Sequence, residues 1–178
     1  PELGGVVGNP INKQGVSFAF SEEFVEVYRL HSLLPEVLHV KNFSTGEKLM
    51  DVPFPETRQA GSGKLLQKVS MTDLFYSFGN QHPGQLVLNN YPKFMQELSI
   101  PFNPVFDMGA VDILRARERG VPRYNEFRRQ LGLKPISKFE DLTDDAELVK
   151  ELKDVYGSDA AAVESLDLLV GTLGEGYR

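Results

Sequence analysis

Cysteine is absent from the 178 residues. That excludes disulfides, Cys-ligated zinc, iron–sulfur clusters and thiol catalysis together. Positive charge is also scarce. Lys and Arg total 19 against 25 Asp and Glu, a formal net charge of −6. Sequence-independent nucleic-acid binding rests on Lys/Arg contacts to phosphate, so nucleic acid is not the expected partner. No apolar run approaches the ~20 residues of a membrane span. No charged-then-apolar leader precedes the first turn signals. The chain starts at Pro1 and stops at Gly174-Glu175-Gly176-Tyr177-Arg178, which reads as a piece of something longer. Histidine is sparse, with only His31, His39 and His82, and their spacing suggests no shared face for a three-His metal site.

What is present suits a soluble globular chain, 41% hydrophobic, 10% aromatic and 25% charged. Its length predicts about one domain, able to hide roughly 70% of its unfolded surface. Residues Pro1 to Phe20 are Gly-rich and read as a loop. Ser21 is a cap for the clearest helix, with Glu22 and Glu23 at its positive end. Phe24, Val27, Tyr28, His31 and Leu34 recur on one helical face until Pro35 closes it. Val37–Phe43 and Lys48–Val52 flank a Ser44-Thr45-Gly46-Glu47 turn and read as a hairpin. Residues 53–64, with two Pro and two Gly, read as an exposed loop. Helices are then expected from Ser70 to Gly79, from Asn89 to Leu98, and from the Asp107 cap to Arg119. Three more are expected at Tyr124–Leu131, Asp144–Tyr156 and from the Asp159 cap to about Val170. The fold class is mainly α with one small β-hairpin.

Gly61-Ser62-Gly63-Lys64 is not a phosphate loop. The glycine required five residues before the Gly-Lys pair is Arg58, and the Ser/Thr required after the lysine is Leu65. His39 and His82 read as surface or packing residues. His31 differs, because it sits on an apolar helical face three residues after Tyr28, a spacing that stacks both rings on one side. Alone, such a histidine is usually a hydrogen-bonded core residue. A neutral imidazole can also ligate haem iron, and a tyrosine one turn away can then act as an electron donor. A second segment, Leu114 to Arg129, carries Arg115, Arg117, Arg119, Arg123, Arg128 and Arg129 within an acidic protein. It is either a solvated face or an anion site, since Arg forks match carboxylates such as haem propionates. Asn125 lies within it, suited to orienting a ligating imidazole through its second nitrogen.

The two segments together resemble the peroxidase–cyclooxygenase superfamily, the animal-type haem peroxidases. Tyr28-Arg29-Leu30-His31-Ser32-Leu33-Leu34-Pro35 is similar to the segment carrying a radical tyrosine and the proximal haem histidine. Arg115, Arg117, Glu118, Gly120, Val121, Pro122, Tyr124 and Asn125 fall on the superfamily's signature. Within the superfamily the fatty-acid alpha-dioxygenases match best, at Ser21–Tyr28, Asn90-Tyr91-Pro92, Pro122–Arg128 and Pro135–Thr143. The resemblance implies a haem-peroxidase-like helical fold, with residues 1–178 forming the proximal-haem portion of a catalytic domain. The upstream distal part and the downstream helices would lie outside it. It implies haem b held by His31 as proximal iron ligand, with Asn125 on the far nitrogen of His31 and Arg128 at a propionate. Arg115, Arg117 and Glu118 would make structural ion pairs. Tyr28 would abstract hydrogen from a fatty acid, and molecular oxygen would add to give a 2-hydroperoxy acid. Weak haem binding and little turnover are expected of these 178 residues alone. A plain haem peroxidase using peroxide, or another oxylipin-forming dioxygenase, is the alternative enzyme. A non-catalytic helical binding module is the alternative of another class. A lipid substrate suits peripheral membrane contact. The lack of cysteine sets the chain apart from disulfide-bearing mammalian members and favours an intracellular enzyme.

Overall fold

The computed structural model describes residues 20–100 and 103–175. The loop expected over Pro1–Phe20 therefore lies almost wholly outside the described residues. Helix α1 spans Glu22–Val27, and the Ser21 side chain caps it by accepting from the Phe24 amide at 3.2 Å. The helix does not continue to Leu34 as its periodicity predicts. Tyr28 leaves helical geometry, and a separate 3₁₀ turn covers His31–Leu33.

Strands β1 (Val37–Lys41) and β2 (Lys48–Pro53) form the expected antiparallel hairpin, with His39 opposite Asp51. The free edge of β1 is covered from the side. Asp73, Ser77 and Gln81 stand four residues apart on and just past helix α3 (Met71–Asn80). They accept from the backbone amides of Phe43, Lys41 and His39 respectively. One side chain per turn thus does the work of a missing strand. Residues 53–64 are not an open loop. A 3₁₀ turn at Phe54–Thr57 leads into helix α2, Ala60–Leu66. Gly61 in that helix lies against the Glu56 carbonyl, where a Cβ would come within 1.9 Å. Leu38, Val40, Val52, Leu65, Val69 and Leu74 pack between hairpin and helices as one core.

The expected Asn89–Leu98 helix shrinks to α4, Lys93–Gln96. A second antiparallel pair follows, β3 (Leu98–Ile100) against β4 (Asn103–Phe106), in addition to the expected hairpin, and the fold is mainly α as expected. Asp107 caps α5, Met108–Glu118, and α6 runs Tyr124–Gln130. Asp145 caps α7, Ala146–Tyr156, which starts two residues later than expected and ends at Gly157. The last expected helix is two, α8 (Ala160–Glu164) and α9 (Leu168–Gly174). The break falls where buried Asp167 turns inward. Its carboxylate accepts from Arg117, Arg123 and the Tyr156 hydroxyl. Burial alone pushes this carboxyl up, but those donors outweigh it and hold it below the usual range.

A second core fills the space between α6, α7, α8 and α9, around Tyr124, Phe139, Leu142, Leu152, Val163 and Leu166. Gly171 is required there, because a Cβ would lie 2.2 Å from the Tyr124 ring. Segment 84–93 links the two cores. Its Gly84 amide donates to Leu33, its Leu88 amide to Leu173 and its Lys93 amide to Glu36. No helix among the described residues is long and apolar enough to cross a membrane.

Candidate functional site

Three segments meet at His31: its own 3₁₀ turn, segment 84–91 and α5. The 3₁₀ turn that carries it is pinned from outside by segment 84–91. Gly84 donates its amide to Leu33 and sits so close to the Ser32 carbonyl that a Cβ there would approach to 2.0 Å. Asn90 donates to the carbonyl of Gln85 and reaches that of Ser32. Next in sequence, Tyr91 presents its hydroxyl to His31 Nδ1 at 3.1 Å and donates to Asp112 Oδ2 at 3.2 Å. Asp112 Oδ2 also lies 3.4 Å from His31 Nδ1, while Oδ1 pairs with the Arg29 guanidinium at 3.2 Å. Asp112 comes from the middle of α5 and is 2% exposed.

This convergence accounts for the interrupted helix. Arg29 and His31 both reach the Asp112 carboxylate. Residues two apart point in divergent directions on an α-helix, so one acceptor cannot serve both unless the helix opens between them. The backbone opens at Tyr28–Leu30. Tyr28 and His31 consequently do not share a face. The Tyr28 ring is 64% exposed and stacks on Phe24 at 5.3 Å and 12°, and Phe24 in turn meets Phe20 at 5.2 Å. The His31 ring instead meets Tyr91 edge-on at 5.7 Å.

Beneath this cluster lies Glu26, buried from solvent, with Oε2 3.9 Å from Arg29 Nε. Its Oε1 and the Arg29 Nε have no hydrogen-bond partner. Burial pushes the Glu26 carboxyl up to about 7, with Arg29 opposing and Asp112 adding to the rise. Burial likewise raises the Tyr91 phenol, helped by the Asp112 charge, so its proton is firmly held.

Asn125 is not on His31. Wholly buried, it donates to the Ile136 carbonyl and to Glu164, each at 2.9 Å, and accepts from the Ile136 amide at 2.9 Å. Those three bonds use both amide protons and the oxygen, so the expected bond to the far nitrogen of His31 is replaced by a clamp on the 131–136 loop. Arg128 donates to the Lys134 carbonyl, the Tyr124 hydroxyl and Glu175. Arg115 forks onto Glu22, and Arg129 bridges Glu126 and Glu164. Arg115, Arg117, Arg123, Arg128 and Arg129 are thus each engaged by a carboxylate of their own chain.

A haem-ligating histidine needs one ring nitrogen bare and the other anchored. His31 meets that requirement. Nδ1 is anchored by Tyr91 and Asp112, Nε2 takes no hydrogen bond among the described residues, and about a quarter of the side chain is exposed. Sequence reasoning missed Asp112, Tyr91, Arg29 and Glu26. A signal existed for Asp112, an acidic residue inside the apolar run Val111-Asp112-Ile113-Leu114 of a capped helix.

The animal haem peroxidase profile matches residues 5–177. The chain belongs to the animal haem peroxidase family. Its relatives within that family include alpha-dioxygenase 2 of Arabidopsis thaliana, 42% identical over 96% of this chain and 29% of the relative. An alpha-dioxygenase of Oryza sativa subsp. japonica is 40% identical over 98% of this chain and 30% of the relative. The crystal structure of Oryza sativa fatty acid alpha-dioxygenase superposes with a TM-score of 0.83 at 38% identity, covering 94% of this chain and 29% of that one. Peroxidase A of Dictyostelium discoideum shares the fold, with a TM-score of 0.72 at 22% identity. The chain therefore spans less than a third of the length of these curated relatives.

Proposed function

We propose that residues 1–178 are the proximal-haem portion of a fatty-acid alpha-dioxygenase domain, with His31 as the iron ligand and Tyr28 as the hydrogen-abstracting residue. One observation carries this reading: a histidine with Nδ1 fixed by a hydroxyl and a carboxylate and Nε2 left bare, three residues after an exposed tyrosine. The alpha-dioxygenase relatives support the substrate class, and a tyrosine-to-phenylalanine variant of the rice enzyme has been solved with palmitic acid.

A haem held by His31 would supply the oxidising power that makes Tyr28 available as its phenoxyl. The protein does the rest by placement. The Tyr28 phenoxyl takes a hydrogen atom from the carbon next to the fatty-acid carboxylate. Molecular oxygen adds to that carbon, and Tyr28 returns the hydrogen to the outer oxygen. The sum is fatty acid plus O₂ giving the 2-hydroperoxy acid, with the Tyr28 phenoxyl regenerated. Tyr28 suits the role because its ring is exposed and oriented by the Phe24 stack. His31 suits its own because Tyr91 and Asp112 leave only Nε2 for a metal.

The test is oxygen uptake with palmitic acid by the full-length haem-loaded protein. Tyr28→Phe is expected to abolish uptake while the Soret band and peroxidase activity toward a phenolic donor persist. Unchanged uptake would overturn the radical role. Peroxidase activity with no fatty-acid uptake in the wild type would point to a plain haem peroxidase.

A further inference from the structure

The proton on His31 can be located from its neighbours. Both oxygens of the Asp112 carboxylate are engaged: Oδ1 pairs with the Arg29 guanidinium at 3.2 Å, and Oδ2 accepts from Tyr91. Tyr91 has a single hydroxyl proton, and it is donated to Asp112. The lone pairs of the Tyr91 oxygen therefore face His31 Nδ1 at 3.1 Å. A bare Nδ1 would set its lone pair against that oxygen and against the carboxylate at 3.4 Å. A protonated Nδ1 turns both contacts into attractions. We infer that Asp112, with Tyr91 as its relay and Arg29 as its anchor, is the positioning residue that fixes His31 as the Nδ1–H tautomer and reserves Nε2 for iron.

The assignment rests on the proposed function only in treating His31 as the iron ligand; the tautomer itself does not. It gives α5 and segment 84–91 a role at the haem through His31, without contact with substrate. Second partners of ligating histidines typically account for 10- to 100-fold in metal affinity, through orientation and ligand basicity. The arrangement also gives Arg29 a purpose. Its guanidinium, 3.2 Å from Asp112 Oδ1, is the cation paired with that buried carboxylate.

The experiment uses full-length protein, apo and haem-loaded. The first readout is the ¹⁵N shift pair of the His31 imidazole in the apo protein, assigned by its loss in His31→Gln. The second is haem affinity by titration of the Soret band. The wild type is expected to show a protonated Nδ1 and a bare Nε2. Asp112→Asn should move the proton toward Nε2 and weaken haem binding tenfold or more. Tyr91→Phe should do so in part, which keeps the test alive if Asp112→Asn fails to fold. A wild-type imidazole protonated on Nε2 would overturn the inference, as would shifts and affinity unchanged in both variants. A Soret band retained in His31→Ala would instead sink the haem-ligand reading and leave the tautomer result standing.

Discussion

At the scale of single residues, Glu26, Arg29, Asp112 and His31 bring four ionisable side chains together at buried and part-buried positions. Glu26 carries the clearest cost of that burial. Its carboxyl has an unpartnered oxygen, and burial raises its proton affinity from the ordinary 4.5 to about 7. The folded state therefore holds this proton between pH 4.5 and 7 while the unfolded chain has released it. Stability from this site is complete below about 4.5 and falls as pH rises through 7. Glu26→Gln keeps the shape and removes the titration. Urea unfolding at pH 5 and pH 8 should show the wild type losing on the order of 2–3 kcal/mol relative to Glu26→Gln over that interval. Parallel pH profiles would refute the assignment. Asn125 shows what sequence spacing can and cannot say of a single residue. Its signature position marked it as important, and it is wholly buried with every polar atom bonded. Its partners, Ile136 and Glu164, lie 11 and 39 positions away. No local pattern names them. Asp112 is the converse, invisible in the motif and central in space.

Elements differ in legibility for the same reason. Caps are local chemistry, and Ser21, Ser70 and Asp107 each start a helix where their side chains accept from the third amide onward. The β1–β2 hairpin follows from alternation and a Gly46 turn at φ +72. What could not be read is where tertiary contacts overrule periodicity. The helix bearing Phe24 keeps its period through Leu34, yet opens after Val27 so that Arg29 and His31 can share one acceptor. The Asp159–Val170 stretch keeps helical composition, yet breaks at Asp167 to meet Arg117 and Arg123. Residues 60–66 carry two glycines and still form a helix, because Gly61 packs onto the Glu56 backbone. The His31 turn is the element on which the site depends, and Gly84 is the residue that closes it. Gly84→Ala places a Cβ against the Ser32 carbonyl, a backbone atom that cannot yield without moving His31. It should cost about 1–3 kcal/mol and lower the melting temperature, while Gly63→Ala, with open space around its Cβ site, should not. Equal melting temperatures for the two variants would show that the turn is not held there.

For the molecule as a whole, two buried clusters share no residue. One lies under the β1–β2 hairpin with α2 and α3, the other among α6, α7, α8 and α9. Segment 84–93 joins them through three backbone amides rather than through a shared apolar layer. The haem-ligand candidate sits at that join, since its turn is tied to Gly84, its ring to Tyr91, and its carboxylate partner Asp112 comes from α5. Such an arrangement gives each cluster its own stability, with the site depending on both. Leu38 is fully buried in the first cluster and Phe139 is 1% exposed in the second. Leu38→Ala should cost about 2–5 kcal/mol and Phe139→Ala about 3–5 kcal/mol, each by leaving a cavity. Amide hydrogen exchange distinguishes local from global loss. In Leu38→Ala, protection should fall across Val37–Lys41, Lys48–Pro53 and Met71–Asn80 while Tyr124–Gln130 and Leu168–Gly174 keep theirs. Phe139→Ala should show the reverse. A uniform fall in both variants would mean that the amide ties through segment 84–93 suffice to make one cooperative unit. The His31 site would then open only when the whole chain unfolds. A divided pattern means that the turn bearing His31 loosens whenever either cluster does.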